Sequence, residues 1–422
     1  MLSADRLPRP TRRRTAIGAV GVLTVLTLVS CSSNDSGQAT ASGSAGTAKS
    51  GAKAGGSSAV TVTLKSGGSG DTCEASATTA KAGPVTFTVK NESATGIIEF
   101  ELLQQQRIVG EKENLAPGLA PVSFTATLGG GKYQLYCPGA AKELTDFTVT
   151  GKPAPVASGS TATLLAQGAK GYSGYVTARL NDLLKGSKTL QADIDAGNLK
   201  KAKTDYAGTR QFYEKIESDV AGFVKPGFKP TDNAGNLDYL IDMRASNLDQ
   251  AVGWHGFHAI ERDLWHGGAI TPSTKKLAAE LVTNVTTLEK LAPKLQFKPE
   301  DLANGAAGLL EEVQSNKITG EEEAFSHIDL ADLSANVEGA RQAFAYLQPG
   351  LTKIDPALTK TIQQRFSGVD TVMGKLRDAG SLGGYQRWDG ATKTANAKKI
   401  SQSVQALQDP LSHLAQKVAT AK

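Results

Sequence analysis

The period of the apolar residues changes once along this chain, between Lys152 and Ser160. Before that point, Val60-Thr61-Val62-Thr63-Leu64, Val85-Thr86-Phe87-Thr88-Val89 and Asp146-Phe147-Thr148-Val149-Thr150 alternate and are rich in β-branched side chains. That is the pattern of strands with one buried face. After it, Leu180, Leu183, Leu184, Leu190, Ile194 and Leu199 fall at helical spacing, as do Leu277, Leu281, Val285, Leu288 and Leu291. A strand buries every second residue and a helix every third or fourth, so one element cannot serve both patterns. The sequence therefore predicts a multidomain chain: an all-β sandwich over 59–151, then an all-α helical bundle over 161–422. Pro153, Pro155 and Gly159 make 152–160 the linker.

Turn residues agree with this division. Lys65-Ser66-Gly67-Gly68, Ala116-Pro117-Gly118 and Gly129-Gly130-Gly131 separate short strands, among them Ile97 to Leu103 and Tyr133 to Cys137. In the helical half, Lys225-Pro226-Gly227 and Gln348-Pro349-Gly350 read as loops between helices.

The N-terminus carries an address. Arg9, Arg12, Arg13 and Arg14 precede an apolar run from Ala16 to Val29, closed by Leu28-Val29-Ser30-Cys31. A basic region, a short apolar run and small residues define a signal peptide over 1–30, and the run is short for a membrane span. The last four residues resemble a lipobox, which makes Cys31 the lipidated first residue of an exported protein. That protein is anchored at the outer face of the cytoplasmic membrane or lies in the periplasm. Residues 31–58 hold Ser, Gly, Ala and Thr with few apolar side chains, the composition of a flexible tether. Net charge is +5 and dispersed, which argues against nucleic acid as a partner.

With Cys31 lipidated, Cys73 and Cys137 form an even pair in an oxidising compartment. A disulfide and a thiolate/carboxylate metal site both fit them. A blue-copper site does not, since it needs two histidines with its cysteine, and the first histidine in the chain is His255. Cys73-Glu74, Asn91-Glu92-Ser93, Ile98-Glu99-Phe100-Glu101-Leu102, Glu111-Lys112-Glu113-Asn114 and Gly131 to Cys137 together resemble the cupredoxin-like domain of the EfeO family. The resemblance implies a cupredoxin-like sandwich with a copper or iron site near Cys73, Cys137 and acidic side chains such as Glu101. Oxidation of ferrous iron there is a further implication.

In the helical half, Trp254, His258, Glu261 and Trp265 are spaced to share one face of a continuous helix. His258 and Glu261, one turn apart and outside the leucine pattern, can converge on one metal ion. Further carboxylates sit at helical spacing: Glu214 with Glu217, Asp238 with Asp242, and Glu321 and Glu322 beside His327. Carboxylates brought close together repel, and a cation is the usual remedy. Thr209 to Glu217, Leu237 to Arg244, Trp254 to Trp265 and Ile318 to Leu330 resemble the imelysin-type domain of the EfeO family. Its G-x-H-x-x-E motif stands here as Gly256 to Glu261. The resemblance implies a metal site gathering His258 and Glu261 with Glu214, Glu217, Asp238 or Asp242, and Glu321 or Glu322. One imidazole among carboxylates suits iron or zinc better than copper(I).

The function this implies is capture of Fe²⁺ or Fe³⁺ outside the cytoplasm and delivery to a membrane permease. The family's partners are an EfeU-type iron permease and an EfeB-type haem peroxidase. An imelysin-type metallopeptidase is one alternative, although His255 and His258 lack the intervening glutamate of a zinc peptidase helix. A lipoprotein that binds polyanions or polysaccharides through a bridging metal is another.

Overall fold

The computed structural model describes residues 58–104, 107–152 and 159–421. The signal peptide, Cys31 and nearly all of the tether lie outside the described residues. No helix among the described residues is long and apolar enough to cross a membrane.

Among the described residues, nine strands make two sheets. They are β1 (Ser58–Lys65), β2 (Thr72–Ala75), β3 (Thr79–Lys81), β4 (Gly83–Asn91), β5 (Phe100–Gln104), β6 (Arg107–Lys112), β7 (Val122–Leu128), β8 (Gly131–Tyr136) and β9 (Leu144–Thr150). One sheet runs β2-β1-β4-β7 and the other β3-β9-β8-β5-β6. The alternation of β1 and β4 decides which face is inside: Val60, Val62, Leu64, Val85, Phe87 and Val89 all point into the space between the sheets. Phe87 stacks on Phe124 at 5.2 Å and meets Phe147 edge-on at 5.5 Å, arrangements that ring quadrupoles favour.

The helical part comprises α1 (Ser160–Asp195), α2 (Leu199–Glu214), α3 (Glu217–Val220), α4 (Leu237–Asp242), α5 (Gly256–Glu261), α6 (Pro272–Leu291), α7 (Pro299–Glu312), α8 (Asp329–Ile354), α9 (Pro356–Met373), α10 (Gly390–Leu411) and α11 (Leu414–Ala419). The long helix α1 packs against α2, α6 and α8, and α7 packs against α8. The loop expected at Gln348-Pro349-Gly350 does not form, and α8 runs through Pro349 to Ile354. Leu347, Gly350 and Leu351 are buried there, and a side chain at Gly350 would strike Leu165 of α1. Burial along α1 outweighs the lost hydrogen bond of the proline.

Strands β6 and β7 are sheet edges, with backbone groups that need partners. The bundle supplies them. Ile108 N donates to Gly222 O at 3.3 Å. Asn304 of α7 accepts from Thr125 N at 3.4 Å and donates to Thr125 O at 2.7 Å, and Glu300 accepts from Thr127 N at 3.2 Å. Four residues of helix rise about 6 Å and two of strand about 6.7 Å, so Glu300 and Asn304 match Thr127 and Thr125 in spacing. Side chains of α7 thus replace a missing strand.

Candidate metal centre

Gly256 sets the geometry. Its φ is +67° and a Cβ on it would lie 2.0 Å from Ile241 O. Only glycine allows that approach, and it brings the start of α5 against the end of α4, where Asp242 sits. The continuous helix expected from Trp254 to Trp265 is not what forms. His255 is extended, Trp254 precedes α5, and Arg262–His266 is a π-turn. Trp254 and Trp265 therefore leave the shared face. Trp254 lies under the Arg262 guanidinium at 4.6 Å, and Trp265 meets Tyr206 edge-on at 5.3 Å. His258 and Glu261 remain on the inner side, 1 % and 0 % exposed.

Each atom of the pair has a distinct task. His258 Nδ1 donates to Glu261 Oε2 at 3.0 Å. Glu261 Oε1 accepts from Phe325 N at 2.8 Å and Ser326 N at 2.7 Å. Burial opposes the Glu261 charge, but these hydrogen bonds and the imidazole hold its carboxyl below the usual range. Glu261 thus pins the 325–326 turn and orients His258, a role that the sequence reading, which placed both residues outside the core, did not anticipate. His258 Nε2 is buried without a hydrogen bond. It faces Glu322 Oε1 at 3.5 Å and Asp242 Oδ1 at 3.7 Å. Burial and Arg210 work against charge on this imidazole. The hydrogen bond to Glu261 and the nearby carboxylates of Glu322 and Asp242 outweigh them and hold its pKa up at about 9.

Donor atoms of Asp242, His258 and Glu322 lie within 4.8 Å of one another, as do those of His258, Glu261 and Glu323. Metal bonds to such donors are about 2.0–2.2 Å long, so a small contraction suffices for the first group to share one ion. A histidine that donates its other ring N–H to a carboxylate is the usual arrangement of a metal ligand.

Two cations in this network carried no sequence signal. Arg210 of α2 is fully buried, with Nη2 2.6 Å from Glu214 Oε1 and Nε 2.7 Å from Glu323 Oε1 and 3.0 Å from Asp332 Oδ2. It also bonds Asp242 and Glu322. Lys317 Nζ lies 3.1 Å from Glu214, 3.5 Å from Glu322 and 3.7 Å from Glu217. Glu214 and Glu217 are therefore gathered around Lys317, not around His258. Burial pushes Glu214 up to about 8 against the pull of Lys317 and Arg210. Arg210 and Lys317 read as ordinary helix-surface cations in sequence; Glu323 and Asp332 were likewise not singled out as ligands.

The other expected residues lie apart. Asp238 accepts from the Tyr213 hydroxyl and faces the sandwich; burial and Asp242 raise its pKa to about 7. Glu321 is partly exposed, bonded by Ser246 and 3.8 Å from Arg244, so Glu322 is the inward member of that pair. Cys73 and Cys137 are joined as a disulfide with Cα atoms 6.4 Å apart, which leaves no thiolate for a metal in this form. Glu101 stands on β5 opposite Glu111 of β6.

Comparison with known proteins adds two findings. The Imelysin family model matches residues 168–417, more than half of the chain. The iron uptake system component EfeO of Escherichia coli (strain K12) is 35% identical over 346 residues, covering 81% of this chain and 88% of that protein. Proteins of the same name from Shigella flexneri and from Escherichia coli (strain UTI89 / UPEC) match to the same extent.

Proposed function

Since the chain belongs to the EfeO family of iron uptake components, with an imelysin domain in its helical part, we propose that it captures iron outside the cytoplasm and hands it to a permease. The observation that carries this is the unpartnered His258 Nε2, held by Glu261 and facing Asp242 and Glu322. In this reading the nitrogen and one oxygen from each carboxylate take the ion. Glu261 fixes the ring, and Arg210 yields its bonds to Asp242 and Glu322 as the ion enters. The donor set is hard to borderline, in keeping with iron and with zinc as a competitor.

The remaining parts of the reading follow from the family and from sequence. Residues 1–30 export the chain, Cys31 carries a lipid, and the sandwich is cupredoxin-like. An EfeU-type permease receives the iron, and an EfeB-type haem peroxidase acts beside it.

The test is calorimetric titration of the mature protein with Fe²⁺ under anaerobic conditions, with His258→Gln and Asp242→Asn in parallel. Alanine is avoided because Glu261 and His258 hold backbone and charge together. Each variant should bind at least about tenfold more weakly, a loss of about 1.4 kcal/mol or more. Unchanged affinity in both variants places the site elsewhere.

A further inference from the structure

The donors of the proposed iron site are sealed from solvent: Asp242 is 4 %, His258 1 % and Glu322 1 % exposed. An ion reaches them only if something around them moves. Helices α2, α4, α5 and α8, which supply Arg210, Asp242, His258 and Asp332 to the network, are each pinned in the core by apolar side chains. Tyr213, Ile241, Phe257 and Leu333 are fully buried there. The segment between the π-turn at Val313–Lys317 and α8 differs. Among the described residues between Ile318 and Ile328, none with an apolar side chain is buried. The buried ones are Glu322, Glu323 and Ser326, and Ala324 and Phe325 are partly exposed. A segment without buried apolar contacts lies at the low end of local stability.

Polar contacts hold this segment, and they come from two sides. On the inner side, Glu261 accepts from Phe325 N and Ser326 N. Tyr206 donates to Glu323 Oε1 at 3.0 Å, and Arg210 bonds Glu322 and Glu323. On the other side, one residue holds both ends. Trp388, 1 % exposed, donates its backbone N–H to His327 O at 2.8 Å and its indole Nε1–H to Ile318 O at 3.2 Å. Lys393 of α10 adds a bond to Thr319 O. The chain also turns at these ends, where Gly320 has φ +72° and His327 φ +60°. A side chain stays in the left-handed region only where its surroundings hold it, and Trp388 N does so at His327.

We infer that residues 319–327 form a strap over the iron site, latched by Trp388, and that the ion enters and leaves when the latch releases the strap. Glu322 rides on the strap, whereas Asp242 and His258 sit on α4 and α5. The closed strap brings the third donor to the ion. With the strap open, two donors remain and the ion meets solvent. Gating of an enclosed site by a loop is a common device. Trp388 bonds the ends of the strap and not Glu322 itself, so it is a positioning residue. The inference rests on the iron-binding reading for the identity of the ion.

Two measurements on the full mature chain test it: hydrogen exchange read on peptides by mass spectrometry, and the rate of Fe²⁺ release to an excess of a ferrous chelator. The variant is Trp388→Phe, which keeps an aromatic ring and lacks the indole N–H. In the ion-free wild type, the strap should exchange faster than α5 and α8, and Fe²⁺ should slow it. In Trp388→Phe, strap exchange and Fe²⁺ release should each be about fivefold faster, as expected for one lost hydrogen bond, with exchange in α8 unchanged. A thermal melt shows whether the variant is folded. If it is not, Lys393→Met decides: it removes the bond to Thr319 O and should speed both processes. A strap as protected as α8 in the ion-free wild type overturns the inference. Wild-type strap exchange in the folded variant overturns it as well, and so does faster exchange with unchanged Fe²⁺ release. A wild-type protein that binds no Fe²⁺ sinks the function proposed above and the choice of ion, while the exchange data still decide the latch.

Discussion

Asp219 shows how far burial alone can move a carboxyl group in this fold. The Tyr172 hydroxyl donates to its Oδ2 at 2.6 Å. Burial nevertheless pushes its pKa up to about 7, against the pull of that hydrogen bond. In the unfolded chain the value is about 3.9. Between these values the folded protein holds a proton that the unfolded chain has released, so this residue's contribution to stability falls as pH rises from about 4 to 7. Above pH 7 the full cost is present. Asp219→Asn keeps an acceptor for Tyr172 and removes the charge. It should raise stability at pH 8 by on the order of 2 kcal/mol relative to its effect at pH 4. Urea denaturation at the two pH values measures this, and an equal effect at both would show that Asp219 is not protonated in the folded protein. The same scale explains what the sequence revealed of the site. His258 and Glu261 were legible because they stand one turn apart outside the leucine pattern, whereas Asp242 and Glu322 entered as ligands only through the resemblance, each as one of a pair with Asp238 and Glu321. Arg210 and Lys317 were not legible, because a lone cation on a helix usually reaches water and only the folded chain reveals what surrounds it.

At the level of elements, α5 depends on Gly256. Gly256→Ala forces a side chain into a left-handed backbone position and into Ile241 O at 2.0 Å. It should cost about 3 kcal/mol and weaken iron binding by displacing His258 from Asp242. Gly174 in α1 is the contrast, with nothing within 4 Å of the place a Cβ would take. Gly174→Ala should gain about 0.5–1 kcal/mol. Chemical denaturation of both variants checks the pair, and a neutral Gly256→Ala would mean that α4 and α5 separate easily. Strands β1 and β4 were readable because each buries one face against the other sheet. Strand β6 was not, since Arg107-Ile108-Val109-Gly110-Glu111-Lys112 does not alternate cleanly. Its glycine is there because a Cβ at Gly110 would meet the Phe124 ring at 2.4 Å. The π-turns at Arg262–His266 and Val313–Lys317 were also hidden. Each inserts a residue that an apolar repeat cannot announce.

Across the whole molecule, buried polar contacts join the two halves. Lys112, 5 % exposed, meets Glu311 at 2.6 Å across the junction. Lys112→Met keeps the packing and removes the charge. The loss of about 1–3 kcal/mol should separate the unfolding of sandwich and bundle into two calorimetric transitions where the wild type shows one. An unchanged profile in the variant would show that the pair does not hold the halves together. The covering of β6 and β7 by α7 has a consequence for the history of such chains. Their backbone groups are satisfied by Glu300, Asn304 and Gly222, residues from the other half. A descendant that shed its helices would expose two bare strand edges able to recruit neighbouring copies. To remain monomeric it would have to evolve a bulge, a proline or inward-facing charge on both strands. The sandwich reads as a module in the sequence, yet it could not be shuffled into another protein unaltered.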